Sequence, residues 1–329
     1  MDYKLRSRAK QKENFVKRAV VIGGKGKVGT YLVPMLVKDG FEVINVSRGA
    51  SKPFLSHACW DQVRQVDLDR NDPAFPQKIA ALQPDIVVDK ICFKESDMSA
   101  LIAELEGQVE HYLVTGSVWC HGTTSVVPNT EEEDLNPFGE YGIEKLKMTQ
   151  ALKRKYALSH FPGTIIHPGH IVGPGHPPIN PQGNQNPKVF EALIHGEPVP
   201  IPNFGMETVH HVHATDVAST FRAAIRAGST GYGQAFHAVS TGAVTLRGYA
   251  REVASWFGKE AILVCKPFDE FRKDVTETDA DASYNHILRS ANHSMEKAKR
   301  LLGFTPGYSS FEAVKESLDW MISHGVVEV

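Results

Sequence analysis

AVVIGGKGKVG, residues 19–29, joins a short apolar run to a glycine-rich turn. A β-branched run that ends in glycines and leads into a helical segment is typical of a strand, a tight loop and a helix in an α/β protein. The spacing of Gly23, Gly26 and Gly29 allows the backbone to turn tightly and approach a pyrophosphate, whose charge would meet the N-terminus of a helix that begins near Val28. We therefore predict a dinucleotide-binding turn. A P-loop does not fit, because the final glycine is not followed by lysine and then serine or threonine.

Further β-branched runs alternate with amphipathic helical stretches along the first half of the chain, which predicts a parallel sheet buried on both faces. The fold class is therefore α/β, a Rossmann-type doubly wound parallel sheet. The predicted strands after the first are EVINV (42–46), DIVV (85–88), HYLVT (111–115) and GTIIH (163–167).

Composition shifts divide the rest of the chain. PGHPPINPQGNQNP, which begins at Pro174, is too rich in breakers to continue the sheet. The interpretation is a flexible extension at 1–15, a dinucleotide-binding domain at 16–173 to which 209–240 returns, and a smaller interleaved α/β substrate-binding lobe at 174–208 and 241–329.

The net charge of the chain and the spacing of its cysteines limit which classes of function it can have. A formal charge of -2 gives no global basic field, so we expect neither nucleic acid nor an anionic membrane as a partner. The four cysteines form no CxxC pair, the basic N-terminal stretch also carries acidic residues, and no apolar run is long enough to span a bilayer. These features predict a cytoplasmic protein that binds a small molecule.

The end of the second predicted strand bears on the choice of cofactor. It reads Val46-Ser47-Arg48, without the acid that usually holds the ribose hydroxyls of NAD, and a 2′-phosphate suits Ser47 and Arg48 better. NADP is therefore the predicted cofactor, with NAD as the alternative. Lys27 could add charge, although lysines in such loops are often merely solvated. Asp67 stands where this fold often contacts adenine, but an acid ending a strand is as often a helix cap.

The stretch FGEYGIEKLKMTQ carries the predicted chemistry. Tyr141 and Lys145 lie four residues apart and so share one face of a helix, while Ser117 follows the fifth strand. A tyrosine needs a neighbouring cation to ionise near neutrality, and Lys145 would supply that charge. Ser117 would orient a substrate hydroxyl or carbonyl beside Tyr141. The predicted catalytic residues are these three.

The chain as a whole resembles the extended short-chain dehydrogenase/reductase family, also called the NAD-dependent epimerase/dehydratase family. The resemblance rests on the glycine turn, the acid at 67, Ser117, YGIEK, HPGHIVGPG, VHATDVA and KAKRLLGFTP. It implies that Lys145 binds the nicotinamide ribose, that Pro168 to Ile171, including His170, approach the nicotinamide, and that the helix bearing Tyr141 forms a homodimer. It also implies hydride transfer involving a secondary alcohol or ketone, most plausibly of a sugar or sugar derivative.

Departures from the family pattern shape the substrate prediction. Histidines at 121, 167 and 170 replace a frequent Tyr, Arg and Asn, and VHHVH at 209–213 lacks the arginine that binds a diphosphate in nucleotide-sugar enzymes. That puts a nucleotide sugar in doubt, although Arg222 or Arg289 could approach from elsewhere. Ser117-Val118-Trp119 stands where 4,6-dehydratases carry Thr-Asp-Glu, so the expected reaction is reduction, oxidation or epimerisation and not dehydration.

Two alternatives remain beside this interpretation. Fifteen histidines suggest a metal, and His211 and His213 would share one strand face, but no acidic or cysteine ligands complete a set, so no metal is predicted. The second alternative is a family relative that has kept the dinucleotide site and acts as a redox sensor or RNA-binding protein. Such relatives usually lack the tyrosine or lysine, both present here.

Overall fold

The computed structural model describes residues 16–49, 51–133 and 135–329. The predicted extension at 1–15 lies outside the described residues. Within them a central sheet of seven parallel strands has the order β11-β6-β5-β4-β1-β2-β3, which confirms the predicted doubly wound α/β class. Its strands are β1 (Arg18–Ile22), β2 (Glu42–Ser47), β3 (Arg64–Asp67), β4 (Ile86–Asp89), β5 (His111–Thr115), β6 (Gly163–Pro168) and β11 (Gln234–Ala238).

Helices cover both faces of this sheet because successive residues of its strands point to opposite sides. In β1, Val21 packs into one apolar core with helices α1, α6 and α10, and Val20 packs into another with α2, α3 and α4. The helices are α1 (Gly29–Lys38), α2 (Phe75–Ala80), α3 (Glu95–Leu105), α4 (Glu140–Ser159), α5 (Lys188–His195), α6 (Ala214–Ala227), α7 (Leu246–Trp256), α8 (Phe268–Phe271), α9 (Glu277–Arg289), α10 (Glu296–Leu302) and α11 (Ser310–Ser323).

Six short strands form three two-stranded sheets outside the central one, within the part of the chain described. They are β7 (His170–Val172) with β10 (His211–His213), β8 (Pro198–Pro202) with β13 (Ile262–Lys266), and β9 (Thr208–Val209) with β12 (Val244–Thr245). The predicted return of 209–240 to the central sheet is made by β11, which pairs with β6. The strand at His211–His213, β10, pairs with β7 outside the central sheet.

A third apolar core lies away from the central sheet. It gathers side chains from α5, α7 and α11 and from strands β8 and β9, including Phe190, Tyr249 and Leu318. The predicted division into a dinucleotide-binding domain and an interleaved lobe stays a prediction, and this core is the packing that the lobe would have. Among the described helices, none combines the length and apolar character that crossing a membrane requires.

Candidate functional site

The glycine turn lies between β1 and α1 and leaves its backbone open to a ligand. Gly23 has φ of +82°, a conformation that residues with a Cβ rarely adopt. A Cβ at Gly24 would lie 2.6 Å from the side-chain oxygen of Asn45, and one at Gly29 would collide with the backbone of Gly24. Val28 occupies the N-cap position of α1, so the helix begins close to the residue predicted from the sequence. These glycines therefore permit the close approach that a dinucleotide needs.

A cavity of about 560 Å³ opens beside this turn. Of the residues predicted to bind the cofactor, Gly23, Gly26, Ser47 and Arg48 line it, and Lys25 lies among them. The volume and the glycine cradle fit a dinucleotide.

Other predicted cofactor residues do not line that cavity, among them Lys27, Val28, Gly29 and Asp67. The ammonium group of Lys27 donates a hydrogen bond to the carbonyl oxygen of Gly175 and lies 5.8 Å from the ring centroid of Phe54, so it faces a different loop. Val28 is buried in the core beneath the turn. The carboxylate of Asp67 lies against Gly49, while the cavity is lined two residues later by Asp69.

An ion pair that the sequence analysis did not identify forms part of the same wall. Arg70 makes two hydrogen bonds of 2.7 Å to the carboxylate of Asp89, which is fully buried at the end of β4. Burial opposes the charge of the guanidinium, yet Asp89 outweighs that effect and raises the pKa of Arg70. Arg70 therefore lines the cavity with its charge already paired to Asp89. Arg48 and Lys25 also line the cavity, and neither forms an ion pair among the described residues.

Ser117 and Tyr141 meet at a second cavity of about 210 Å³. Ser117 is the cap of a short 3-10 turn (Val118–Cys120), where its hydroxyl oxygen accepts a hydrogen bond from the N–H of Trp119 at 3.2 Å. Tyr141 lies in the first turn of α4 with 42% of its surface exposed. Desolvation by the surrounding protein raises the pKa of Tyr141, and the nearby Ser117 side chain partly counters this. The two predicted residues therefore line the same cavity.

Lys145 lies one turn further along α4 and is only 1% exposed. Its Nζ donates to the carbonyl oxygens of Cys92 at 2.6 Å and Thr115 at 2.7 Å. It lies 5.5 Å from the ring centroid of Tyr141 and 5.2 Å from that of Phe93, which lines the first cavity. Burial lowers the pKa of Lys145 to about 8. The ammonium thus lies between the two cavities.

The segment from Pro168 to Ile171, which the resemblance places at the nicotinamide, lines the second cavity. The Nε2 of His170 hydrogen-bonds to the carbonyl oxygen of Pro177 at 3.1 Å. Because a carbonyl only accepts, Nε2 carries the proton and Nδ1 is the acceptor. Burial lowers the pKa of His170 to about 4, so the ring is neutral at pH 7.

His167 has a positioning role that the sequence analysis did not assign. Its Nδ1 accepts the backbone N–H of Ser117 at 2.9 Å, and its Nε2 lies 3.4 Å from the hydroxyl of Thr149. The sequence did contain a signal for this contact. β6 is the neighbour of β5 in the sheet, and His167 lies near the end of β6, next to the loop that carries Ser117. The imidazole fixes the backbone from which the serine side chain projects.

Two arginines were considered as partners for an anionic substrate group, and of these only Arg289 lies near the second cavity. Arg222 is paired with Asp39, from Nε at 2.7 Å. Arg289 is 6% exposed, and its guanidinium carbon lies 3.7 Å from the ring centroids of both Trp119 and Phe138. Burial lowers the pKa of Arg289 to about 10, and none of the ion pairs among the described residues includes it.

Comparison with known proteins places these features in a family. The family model described as "NAD dependent epimerase/dehydratase family" matches residues 19–237. The chain is 33% identical over 141 residues to the 2'-dehydrokanamycin reductase of Streptomyces kanamyceticus, covering 43% of this chain and 39% of that protein. It therefore spans about two fifths of the length of that relative.

Two further similarities extend over nearly the whole chain. The chloroplast stem-loop binding protein of 41 kDa b from Arabidopsis thaliana is 25% identical over 326 residues, covering 94% of this chain and 80% of that protein. The solved structure of UDP-glucose 4-epimerase from Thermotoga maritima superposes with a TM-score of 0.68 at 19% identity, covering 93% of this chain and 99% of the other. The structural likeness concerns the fold alone.

Proposed function

The chain belongs to the NAD dependent epimerase/dehydratase family, and on that premise we propose an oxidoreductase or epimerase that transfers hydride between a nicotinamide cofactor and a secondary alcohol or ketone. The substrate that we propose is a sugar or sugar derivative. One observation carries the proposal: Ser117 and Tyr141 share one cavity, and the ammonium of Lys145 lies between it and the cavity beside the glycine turn. A bound nicotinamide would supply or take up the hydride at the substrate carbon.

Tyr141 is the proposed proton donor and acceptor at the substrate oxygen. Because burial raises the pKa of its hydroxyl, Tyr141 is neutral near pH 7 and holds the proton that a carbonyl oxygen needs on reduction. Ser117 lines the same cavity and would orient the substrate oxygen beside this hydroxyl. The sequence predicted that Lys145 lowers the pKa of this tyrosine, whereas burial dominates in the structure.

Lys145 is proposed to hold the nicotinamide ribose. An ammonium group has three donors, and two are taken by the carbonyl oxygens of Cys92 and Thr115. The third is available to a ribose hydroxyl. With a pKa of about 8 the group carries its charge at pH 7, so it can also stabilise the phenolate that Tyr141 becomes after giving up its proton.

NADP is the cofactor that we propose, with NAD as the alternative. Ser47, Arg48 and Lys25 line the first cavity and offer a hydroxyl and two cations to a 2′-phosphate. Asp69 lines the same cavity and opposes that phosphate. The proposed preference therefore depends on the two cations outweighing one carboxylate.

The proposed reaction excludes 4,6-dehydration. That elimination needs an acid and a base beyond the tyrosine, and among the described residues that line the second cavity none is Asp or Glu. Trp119 occupies the wall instead, with its ring centroid 5.9 Å from that of Tyr141. The family includes dehydratases, so the exclusion rests on this lining.

Arg289 supports a substrate with an anionic group. It is an almost buried cation against Trp119 that donates to the carbonyl oxygens of Asn285 and Phe138 but meets no carboxylate among the described residues, so an anionic substrate group would offset the cost of burying its charge. We also propose a cytoplasmic homodimer formed through α4, on which Leu158 is 81% exposed. Light scattering measures the oligomeric state. We expect a dimer for the wild type and a monomer for the Leu158→Glu variant.

An RNA-binding role is the second candidate, and the chloroplast stem-loop binding protein favours it because the similarity covers 94% of this chain. The net charge of -2 and the Ser117–Tyr141 pair favour the enzyme. A panel of ketones, sugars and nucleotide sugars, followed by NADPH fluorescence, tests the enzyme directly. Consumption of NADPH supports it, while tight stem-loop RNA binding with no turnover of any substrate would favour the second candidate.

A further inference from the structure

Three buried histidines converge behind the candidate active site, and nothing in the proposed reaction uses them. His121 follows the 3-10 turn after β5, His237 lies in β11, and His293 lies between α9 and α10. They are 1%, 0% and 7% exposed, and each offers a ring nitrogen within 4.8 Å of the other two. Three separate parts of the fold thus bring imidazole nitrogens to one point.

The tautomer of His237 directs a lone pair toward that point. Its Nδ1 lies 3.0 Å from the carbonyl oxygen of Ser294, which can only accept, so Nδ1 carries the hydrogen and Nε2 does not. This Nε2 lies 2.8 Å from Nε2 of His121 and accepts its N–H, and a bound metal ion would take the place of that proton. Metal-binding histidines commonly donate their other N–H to a carbonyl in this way, which fixes the ring orientation. The backbone around His237 therefore has the form of an outer coordination shell.

His293 supplies the second indication of a ligand. Its Nδ1 is buried without a hydrogen-bond partner among the described residues, which is costly for a ring nitrogen unless an ion or a water meets it.

Charge and access also suit a cation. The buried carboxylate of Glu131 lies 3.9 Å from Nδ1 of His237 and accepts the backbone N–H of the same residue at 2.8 Å. A cavity of about 300 Å³, lined by His293, Ser294 and Pro128, lies on the other side and offers a path for the ion.

We propose that His121, His237 and His293 bind one divalent transition-metal ion, with zinc as the ion of choice. Three imidazoles suit zinc, with metal–nitrogen distances of about 2.0–2.1 Å that place two tetrahedral ligands roughly 3.3 Å apart. The 2.8 Å separation of His121 and His237 must therefore open by about 0.5 Å on binding. The ion would join the loop that carries Ser117 to β11 and so stiffen the wall of the active site.

The site departs from the expectation that no metal binds. That expectation considered His211 and His213, and neither belongs to the group of three converging ligands found among the described residues.

Cobalt titration of the full chain, freed of metal with a chelator, tests the proposal. We expect one equivalent of Co²⁺ to produce the visible absorption of a low-symmetry cobalt site, and one equivalent of Zn²⁺ to abolish it and raise the melting temperature. His293→Phe keeps the ring and removes both nitrogens, and it should weaken binding at least about tenfold. His195→Phe, at an exposed position of α5, is the matched control and should bind as wild type does.

A measurement on the unaltered chain removes dependence on variant folding. X-ray absorption of the zinc-loaded protein should show three imidazole nitrogens at about 2.0–2.1 Å. A shell of oxygen ligands, or no bound zinc at one equivalent, would overturn the proposal. Wild-type stoichiometry and affinity in a folded His293→Phe variant, checked by circular dichroism, would overturn it equally.

Discussion

Replacing Arg48 with alanine tests the cofactor assignment without any knowledge of the substrate. NADP⁺ and NAD⁺ differ only in the 2′-phosphate, and Arg48 is an exposed cation on the cavity wall at the end of β2. A charge-assisted hydrogen bond contributes about 1.5–3 kcal/mol, and exposure reduces this to about 1–2 kcal/mol. We therefore expect NADP⁺ to bind more tightly than NAD⁺, and Arg48→Ala to reduce the ratio of affinities roughly 5- to 30-fold.

Calorimetric titration of both dinucleotides measures this ratio. The preference should also shrink as salt rises, because the screening length falls from about 10 Å at 0.1 M to about 3 Å at 1 M ionic strength. Lys52→Ala is the matched control, since Lys52 is exposed nearby but does not line the cavity. Asp69→Asn should increase the preference by removing a repulsive charge. Equal wild-type affinities, or an unchanged ratio in Arg48→Ala, would refute the reasoning.

Three further predictions concern Lys145 and the second cavity. Lys145→Met should weaken NADP⁺ binding in calorimetry and lower turnover, whereas a change in melting temperature alone would make the lysine a structural residue. The pKa of Lys145 in the folded chain, about 8, lies below the usual 10.5 of the unfolded chain. Between these two pH values the unfolded chain therefore binds more protons than the folded chain. The free energy of unfolding should increase by about 2–3 kcal/mol from this group as the pH rises from 8 to 10.5. Urea denaturation at several pH values should find this gain in wild type and not in Lys145→Met, and parallel pH dependences would refute it. Incubation with NAD(P)⁺ and nucleotide hexoses should yield no 4-keto-6-deoxy product by mass spectrometry; loss of water at enzymatic rates would show that Trp119 and its neighbours do not exclude dehydration.

The central sheet could be predicted because parallel strands buried on both faces appear as apolar runs in the sequence. The strands predicted at 19–22 and 163–167 match β1 and β6 within one residue at each end. Within 209–213, β10 pairs with β7 and not with the central sheet, which the sequence pattern could not predict because periodicity carries no information about which strands pair. Local pattern thus gave the elements, and long-range packing decided their neighbours.

The candidate site could be predicted where its geometry is local. Tyr141 and Lys145 share a helix face through their spacing alone. Lys27 was predicted to contact the cofactor because it lies in the glycine turn. Its ammonium group instead donates a hydrogen bond to the carbonyl oxygen of Gly175, which is 148 residues away in the sequence. The Arg70–Asp89 ion pair likewise joins residues that no short motif connects.

The effect of Tyr141→Phe on turnover tests the central claim most directly. A substrate from the panel that consumes NADPH is used with both proteins, and cofactor affinity is measured by calorimetry alongside. Since the variant removes only the hydroxyl of Tyr141 in the cavity that it shares with Ser117, we expect cofactor affinity to stay nearly unchanged and turnover to fall at least about a hundredfold. Turnover close to that of wild type would contradict the proposed role of Tyr141 and, with it, the proposed mechanism.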